Sequence, residues 1–357
     1  MVTVETVTMS TAPLLIALIS ETVLPVVNDL PQSLAHLCAG LSARGHQLQL
    51  VRPRQAEDQD RHSDERLLLT RGWMLPGLPG WQWGVSLQAK LQRHWRRKRP
   101  DVLYIATAGP LGLAALRAGR QLGIPVVSSL TEQVQALTHG HSLSPFYRLF
   151  DHYLRWFHNR SQLTLVPTSS QLQTLQRRGF EHLQLLTSGV DSHLFHPRQR
   201  DNALRSRYPQ RRLKLLLLDD DPHDATPGAL VDSLQVEAAD AASLATLMAS
   251  TDLLLLAQPG AVADNMVLQA LASGLGIVAF DQGAAAQHIR HGHNGALALP
   301  DDADSFATAT TWLLEDPETL RRVRLNACQY AGRHSWSNIS QHLEGYLCSA
   351  CASPWPN

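Results

Sequence analysis

The chain has 357 residues, 44% of them hydrophobic and 17% charged, enough to bury two ordinary cores, so two domains are expected rather than one or three. No run of 18 apolar residues occurs, which argues against a membrane-spanning helix, and four cysteines (Cys38, Cys328, Cys348, Cys351) are too few for a disulfide framework. The formal charge of zero joins unlike halves: residues 1–211 carry 24 Lys+Arg against 14 Asp+Glu, and residues 212–357 carry 7 against 17. Such halves attract each other across a cleft or turn a basic face to an anionic surface; solvated faces are the plainer alternative.

In chain order, "MVTVETVTMSTA" has no basic stretch ahead of an apolar block, so residues 1–12 read as a flexible N-terminus and the cytoplasm is the expected compartment. From residue 13 strands and helices alternate. Strands are expected at "PLLIALIS", "HQLQLVRP", "DVLYIAT", "PVVSSL", "LTLVPTS" and "LQLLTSG", with helices at "LPQSLAHLCAGLSARG", "GPLGLAALRAGRQLG" and "SSQLQTLQRRGF". A second series comes next: strands "LKLLLLD", "DLLLLAQ", "GIVAF" and "ALALP", helices "SLATLMAS" and "DNMVLQALASG". Gly45, Gly123, Gly179 and Gly274 stand where helix C-caps belong. Short apolar strands between amphipathic helices predict an α/β chain of two Rossmann-like, doubly wound domains with parallel sheets. The expected bounds are 13–190 for the first domain, 191–212 for a polar, arginine-rich linker and 213–325 for the second domain. Residues 326–357 are read as a final helix and tail that cross back to the first domain.

The stretch "KLQRHWRRKRP" gathers Lys90, Arg93, Arg96, Arg97, Lys98 and Arg99 around Trp95, with Trp73, Trp81 and Trp83 just before it. Basic residues among tryptophans suit the headgroup layer of an anionic membrane, with a solvated helix end as the alternative; no nucleic-acid motif accompanies them. The tail "LCSACAS" holds a C-x-x-C without a second Cys or His pair, so neither a metal nor another cofactor is expected.

Several pieces together carry a family resemblance: "IALISETVLPVVND", "LSARGHQLQLVRPR", "RPDVLYIATAGPLGLAALRAGRQLGIPVVSS", "GVDSHLFHP" and "LASGLGIVAFDQGAAAQHIRHGHNGALALP". Over about residues 13 to 345 the chain resembles the retaining GT-B glycosyltransferases of family 4, nearest to mannosyl-, glucosyl- and sulfoquinovosyltransferase-like members. The resemblance implies a GT-B fold, two Rossmann-like domains facing a cleft. It also implies hexosyl transfer from a UDP-, GDP- or ADP-linked sugar to a lipid or saccharide acceptor, in some members peripherally at the inner face of a membrane. "GVDSHLFHP" matches the family's inter-domain segment, with Gly189, Val190 and Asp191 at the hinge and Phe195 and Pro197 in place.

Position by position, the family's ligand-facing residues are replaced. The loop after the first strand, N-G in the family, reads Asn28-Asp29; Asp29 either opposes an anion there or caps the helix near Pro31. Glu132 stands at the family's catalytic histidine, with His139 and His141 further along the loop. The family's first strand–helix unit of the second domain, which carries the Arg and Lys that clamp the diphosphate, looks deleted, so the second domain is shortened. In the family's E-x-F-G-N-x-x-L-E-A-x-A-S-G, Ala261 replaces the first Glu, Ala263 the Phe, Asp264 the Gly and Gln269 the second Glu. Asp264, Asn265, Met266 and Gln269 are the expected donor-binding positions, Gln269 as a neutral partner for a ribose hydroxyl.

From residue 215 to residue 289 there is no Lys or Arg, against ten acidic residues. The run Asp219-Asp220-Asp221 reads as solvated turn acids or, alternatively, as oxygen ligands for a divalent cation. Two functions are compatible with these residues: an active glycosyltransferase with a substituted site, or a degenerate relative that partners a genuine glycosyltransferase or binds a glycan.

Overall fold

A computed structural model of the chain describes residues 12–21, 29–54, 66–74, 82–85, 88–130, 145–206, 212–216, 231–235, 240–256 and 264–353. It divides into two compact units, Met1–Leu186 with Ser340–Asn357, and Thr187–Ile339. Among the described residues no helix is long and apolar enough to cross a membrane.

The first unit holds β1 (Leu15–Ile19), α1 (Asp29–Ala43), β2 (Gln47–Pro53), β3 (Leu67–Met74), β4 (Gln82–Val85), α2 (Gln88–Arg97) and β5 (Val102–Ile105). It continues with α3 (Pro110–Leu122), β6 (Val126–Ser129), α4 (Pro145–His158), β7 (Leu163–Val166), α5 (Ser169–Arg177) and β8 (Leu183–Leu185). Its sheet runs β4-β3-β2-β1-β5-β6-β7-β8. Every pairing is parallel except β3 with β4, which closes one edge antiparallel. Leu18 of β1 sits beside Leu50 on one side and Tyr104 on the other. Covered by helices on both faces, such central strands are apolar throughout: Ile16, Ala17, Leu18 and Ile19 are all buried, as is the whole of β5.

The second unit opens with a short turn structure and α6 (Asn202–Ser206), then β9 (Arg212–Leu216), β10 (Val231–Gln235), α7 (Ala241–Ser250), β11 (Leu253–Leu256) and α8 (Asp264–Ala272). β12 (Gly276–Phe280), α9 (Gly283–His288), β13 (Ala296–Ala298), α10 (Ala303–Glu315) and α11 (Pro317–Gly332) complete it. The sheet order is β10-β9-β11-β12-β13, all parallel. Among the described residues no strand of this unit precedes β9, in keeping with a shortened second domain.

Local chemistry fixes the helix ends. Thr168, Asp240 and Asp302 each accept a bond from the backbone N–H three residues on. The four expected C-cap glycines all have positive φ, between 64° at Gly123 and 91° at Gly45.

Two expectations change. The segment expected as a linker is folded over its described part: Asp191 starts a turn, Pro197–Gln199 is a 3₁₀ turn and α6 comes next. The single final helix is two, α11 and α12 (Trp336–Ala352), parted at Arg333–Ser335, where the His334 carbonyl leaves the helical ladder to accept from Val190 N at 2.8 Å. α12 begins in the second unit and ends in the first. There Glu344 takes Arg44 and, at 2.9 Å, His46 Nε2, while His46 Nδ1 accepts from Leu14 N.

Candidate active site

Ligands of open α/β sheets gather at the carboxyl ends of the strands, where the strand order reverses. In the second sheet that point lies between β9 and β11. The stretches leaving those strands, 217–230 and 257–263, are outside the described residues, and with them Ala261, Ala263 and the Asp219-Asp220-Asp221 run. α8 begins directly after residue 263. Val267, Leu268, Ala270 and Leu271 are fully buried in the unit's main core, whereas Asn265, Met266 and Gln269 are half-buried, with Met266 packed on that core. Asn265 and Gln269 are one turn apart and share a side of the helix. The helix then ends at Ser273, fully buried, and Gly274, whose φ of 74° sets it against Pro197 and Cys328. Of Asp264 the backbone alone is described, as the first residue of α8.

In the first sheet the order reverses between β1 and β5. Asn28, Glu132, His139 and His141 lie outside the described residues, and Asp29 is described only as the first residue of α1. One carboxyl at this point was missed in the sequence. Glu21, two residues beyond β1, is 5% exposed, and its Oε1 accepts from Leu111 N at 2.5 Å and Gly112 N at 3.3 Å, the first turn of α3. Its own N–H donates to Thr107 Oγ1 at 3.0 Å. Burial pushes the carboxyl up to about 7, although the two backbone N–H bonds pull it down. Gly109, the α3 N-cap, makes no side-chain bond, and a Cβ there would overlap the Glu21 carboxylate. Tyr153 on α4 donates to Ala108 O at 2.7 Å, and burial raises its phenol to about 12. The available signal was an acid directly after a buried strand, "IALISE", where a turn residue is ordinary.

The expected hinge residues form an ordered staple within the second unit. Val190 N donates to His334 O, Trp336 N returns to Val190 O at 3.3 Å, and Gly189 lies against the Trp336 ring, which leaves no room for a side chain. Asp191 Oδ1 accepts from His193 N and Leu194 N, and Phe195 is buried in the core.

The basic stretch is sorted by helix geometry. Trp95 does not join a surface patch: with Leu91, one turn earlier, it is fully buried in the first unit's core. Lys90 donates to Leu69 O at 3.0 Å and Arg99 to Gly123 O at 3.1 Å, while Lys98 is half-buried. Arg93, Arg96 and Arg97 are exposed on the opposite side of α2.

A buried polar trio, His158 Nδ1 to Ser128 Oγ at 2.9 Å and Ser128 Oγ to Thr164 Oγ1 at 3.1 Å, has the residue types of a nucleophile and base. It has no carboxylate partner in its hydrogen bonds, is shut from solvent, and burial lowers the imidazole to about 3, so it belongs to the core.

Residues 31–194 match the family described as Glycosyltransferase Family 4, and residues 203–316 the one described as Glycosyl transferases group 1. The chain is 26% identical over 342 residues to the GDP-mannose-dependent alpha-mannosyltransferase of Corynebacterium glutamicum, covering 85% of this chain and 81% of that one. It is 24% identical over 367 residues to the enzyme of the same description from Mycolicibacterium smegmatis, covering 93% and 96%. Among solved structures, Anabaena HepE in complex with UDP and glucose superimposes with a TM-score of 0.64 at 15% identity, over 94% of this chain and all of that one. One parallel and one mostly parallel sheet with these strand orders, both family matches and these relatives agree: the chain belongs to the family 4 and group 1 glycosyltransferases of GT-B fold.

Proposed function

We propose that the protein transfers a hexosyl group from a nucleoside diphosphate sugar to a hydroxyl of a lipid or saccharide acceptor. The bond from sugar C1 to the diphosphate oxygen breaks, a bond from C1 to the acceptor oxygen forms, and the hydroxyl proton leaves with the nucleoside diphosphate. One observation carries this reading: the likeness to the mycobacterial mannosyltransferase runs nearly end to end on both chains. GDP-mannose is therefore the first donor to offer, with UDP- and ADP-linked sugars next. Gln269 is assigned to a ribose hydroxyl, with Asp264, Asn265 and Met266 beside the donor at the start of α8, where helix amides favour an anion. The pivot for domain closure is assigned to Gly189, Val190 and Asp191. The basic side of α2 is assigned to an anionic membrane surface that presents the acceptor.

A second reading, a degenerate relative that partners an active glycosyltransferase or binds a glycan, is favoured by the span without Lys or Arg from 215 to 289. A diphosphate held by that span alone would meet helix amides and no Lys or Arg of the span. The deciding experiment titrates the full chain with GDP, UDP, ADP and their sugars, with and without magnesium, then monitors nucleoside diphosphate release from whichever donor binds. Millimolar ligand over a micromolar Kd stabilises the fold by about 4 kcal/mol, a readily visible melting shift. Binding with release supports the transferase; silence across the panel sinks it and leaves the partner role.

A further inference from the structure

The first unit's reversal point has the general layout of an anion site: a helix of 13 residues starts there, with backbone N–H groups at the carboxyl ends of two parallel strands. In this chain the place is already taken. Glu21 Oε1 holds the amides of both Leu111 and Gly112, and its backbone is fixed through Thr107. The space that a side chain at 109 would fill is occupied by the same carboxylate, which glycine alone permits. A phosphate approaching α3 would find its donors engaged and a like charge in contact with them, at low local dielectric.

Resting on the transferase reading, we propose that Glu21 is a specificity-determining residue: by filling the first amides of α3 it closes this point to phosphate and leaves it to an uncharged, hydroxyl-bearing acceptor group such as a saccharide. Sugar hydroxyls donate to a carboxylate oxygen, so the feature that turns phosphate away gives a saccharide an acceptor for its own hydrogen bonds.

The test needs no turnover. The full chain and its Glu21→Ala variant are titrated at pH 8 with inorganic phosphate while the backbone amides of Leu111 and Gly112 are monitored by NMR. Those amides in the wild type are expected to stay unmoved, and in Glu21→Ala to shift saturably, with phosphate bound at least ten-fold more tightly. Glu21→Gln keeps the contour and removes the charge, so it serves if the alanine variant does not fold; there a smaller rise of about three-fold is expected, from the lost charge alone, because the carboxamide oxygen can still accept from both amides. Saturable phosphate shifts at these amides in the wild type would overturn the proposal. So would a failure of both folded variants to gain phosphate binding. Because donor turnover is measured separately, a chain that passes this test and transfers no sugar would fail the transferase reading and not this one.

Discussion

Asp252, at the amino end of β11, offers the sharpest stability test. Its two carboxylate oxygens are each held at 2.9 Å, Oδ2 by Arg205 Nη1 from α6 and Oδ1 by Arg324 Nη1 from α11, while Arg324 Nε donates to Gly274 O at 2.6 Å. One carboxylate thus ties two helices to the sheet. The three side chains are 10%, 21% and 24% exposed, so the pairs are largely desolvated and salt screens them weakly. Burial holds the Arg324 guanidinium below its usual value even with Asp252 beside it. Asp252→Asn leaves both guanidiniums half-buried without a counter-charge. Removing one partner of a buried pair costs about 3–5 kcal/mol, and partial exposure brings this to about 2–3 kcal/mol. For a unit of this size that is a drop in Tm of about 6–9 °C. The assay is guanidinium unfolding monitored at the tryptophans, with calorimetry to separate the two units. Asp252→Asn in an Arg205→Met, Arg324→Met background should recover more than half of the loss, since no charge is then stranded. A single variant within about 0.5 kcal/mol of the wild type would refute the reasoning.

Other side chains give equally definite outcomes. The Glu21 carboxyl titrates at about 7 in the fold and 4.5 as a free group, so the folded state holds its proton more tightly. Its stability contribution is full below pH 4.5 and is lost as pH rises through 7, by at most about 3 kcal/mol; Glu21→Gln should remove that slope from the wild-type profile, and an unchanged slope would discard it. Gly189→Ala sets a Cβ 2.5 Å from the Trp336 ring and should destabilise the second unit by about 1–3 kcal/mol, with partial relief in Gly189→Ala/Trp336→Leu. Replacing exposed Arg93, Arg96 and Arg97 by Gln should weaken sedimentation with phosphatidylglycerol vesicles about 100-fold at low salt, at about 1 kcal/mol per charge; equal binding would return α2 to an ordinary solvated helix.

Much of the scaffold was legible because its signals are local. Apolar runs of strand length and helices closing on glycine depend on neighbours in sequence, and the positive φ at Gly45, Gly123, Gly179 and Gly274 is the physical counterpart of that signal. Beside β3, "LLLTRGWM", two further strands were not legible, β4, "QWGV", and β10, "VDSLQ". Each of the latter two is the edge strand of its sheet, paired on one side, and neither needs the continuous apolar character of β11. Trp95 was misjudged because charge was read along the chain rather than around the helix, where Leu91 and Trp95 form the buried side. Near the site the helix "DNMVLQALASG" was legible because it coincides with packing, its Val267, Leu268, Ala270 and Leu271 being fully buried. Glu21 was not, since its meaning lies in amides 90 residues away.

The course of α12 bears on how the protein is made. Leu343, Leu347 and Ala350 are fully buried, Tyr346 donates to Leu185 O, and Glu344 reaches Arg44 and His46, so the first unit is closed by residues that follow the whole of the second. A ribosome delivers residues 1–186 long before this helix, and during that interval the nascent unit lacks one of its walls. Contacts spanning 300 positions in sequence make its completion a late, slow event and expose the incomplete unit to aggregation. Chaperone demand should therefore be set by the time taken to synthesise the second unit, and lengthening that unit should lower soluble yield even where the insertion itself is harmless.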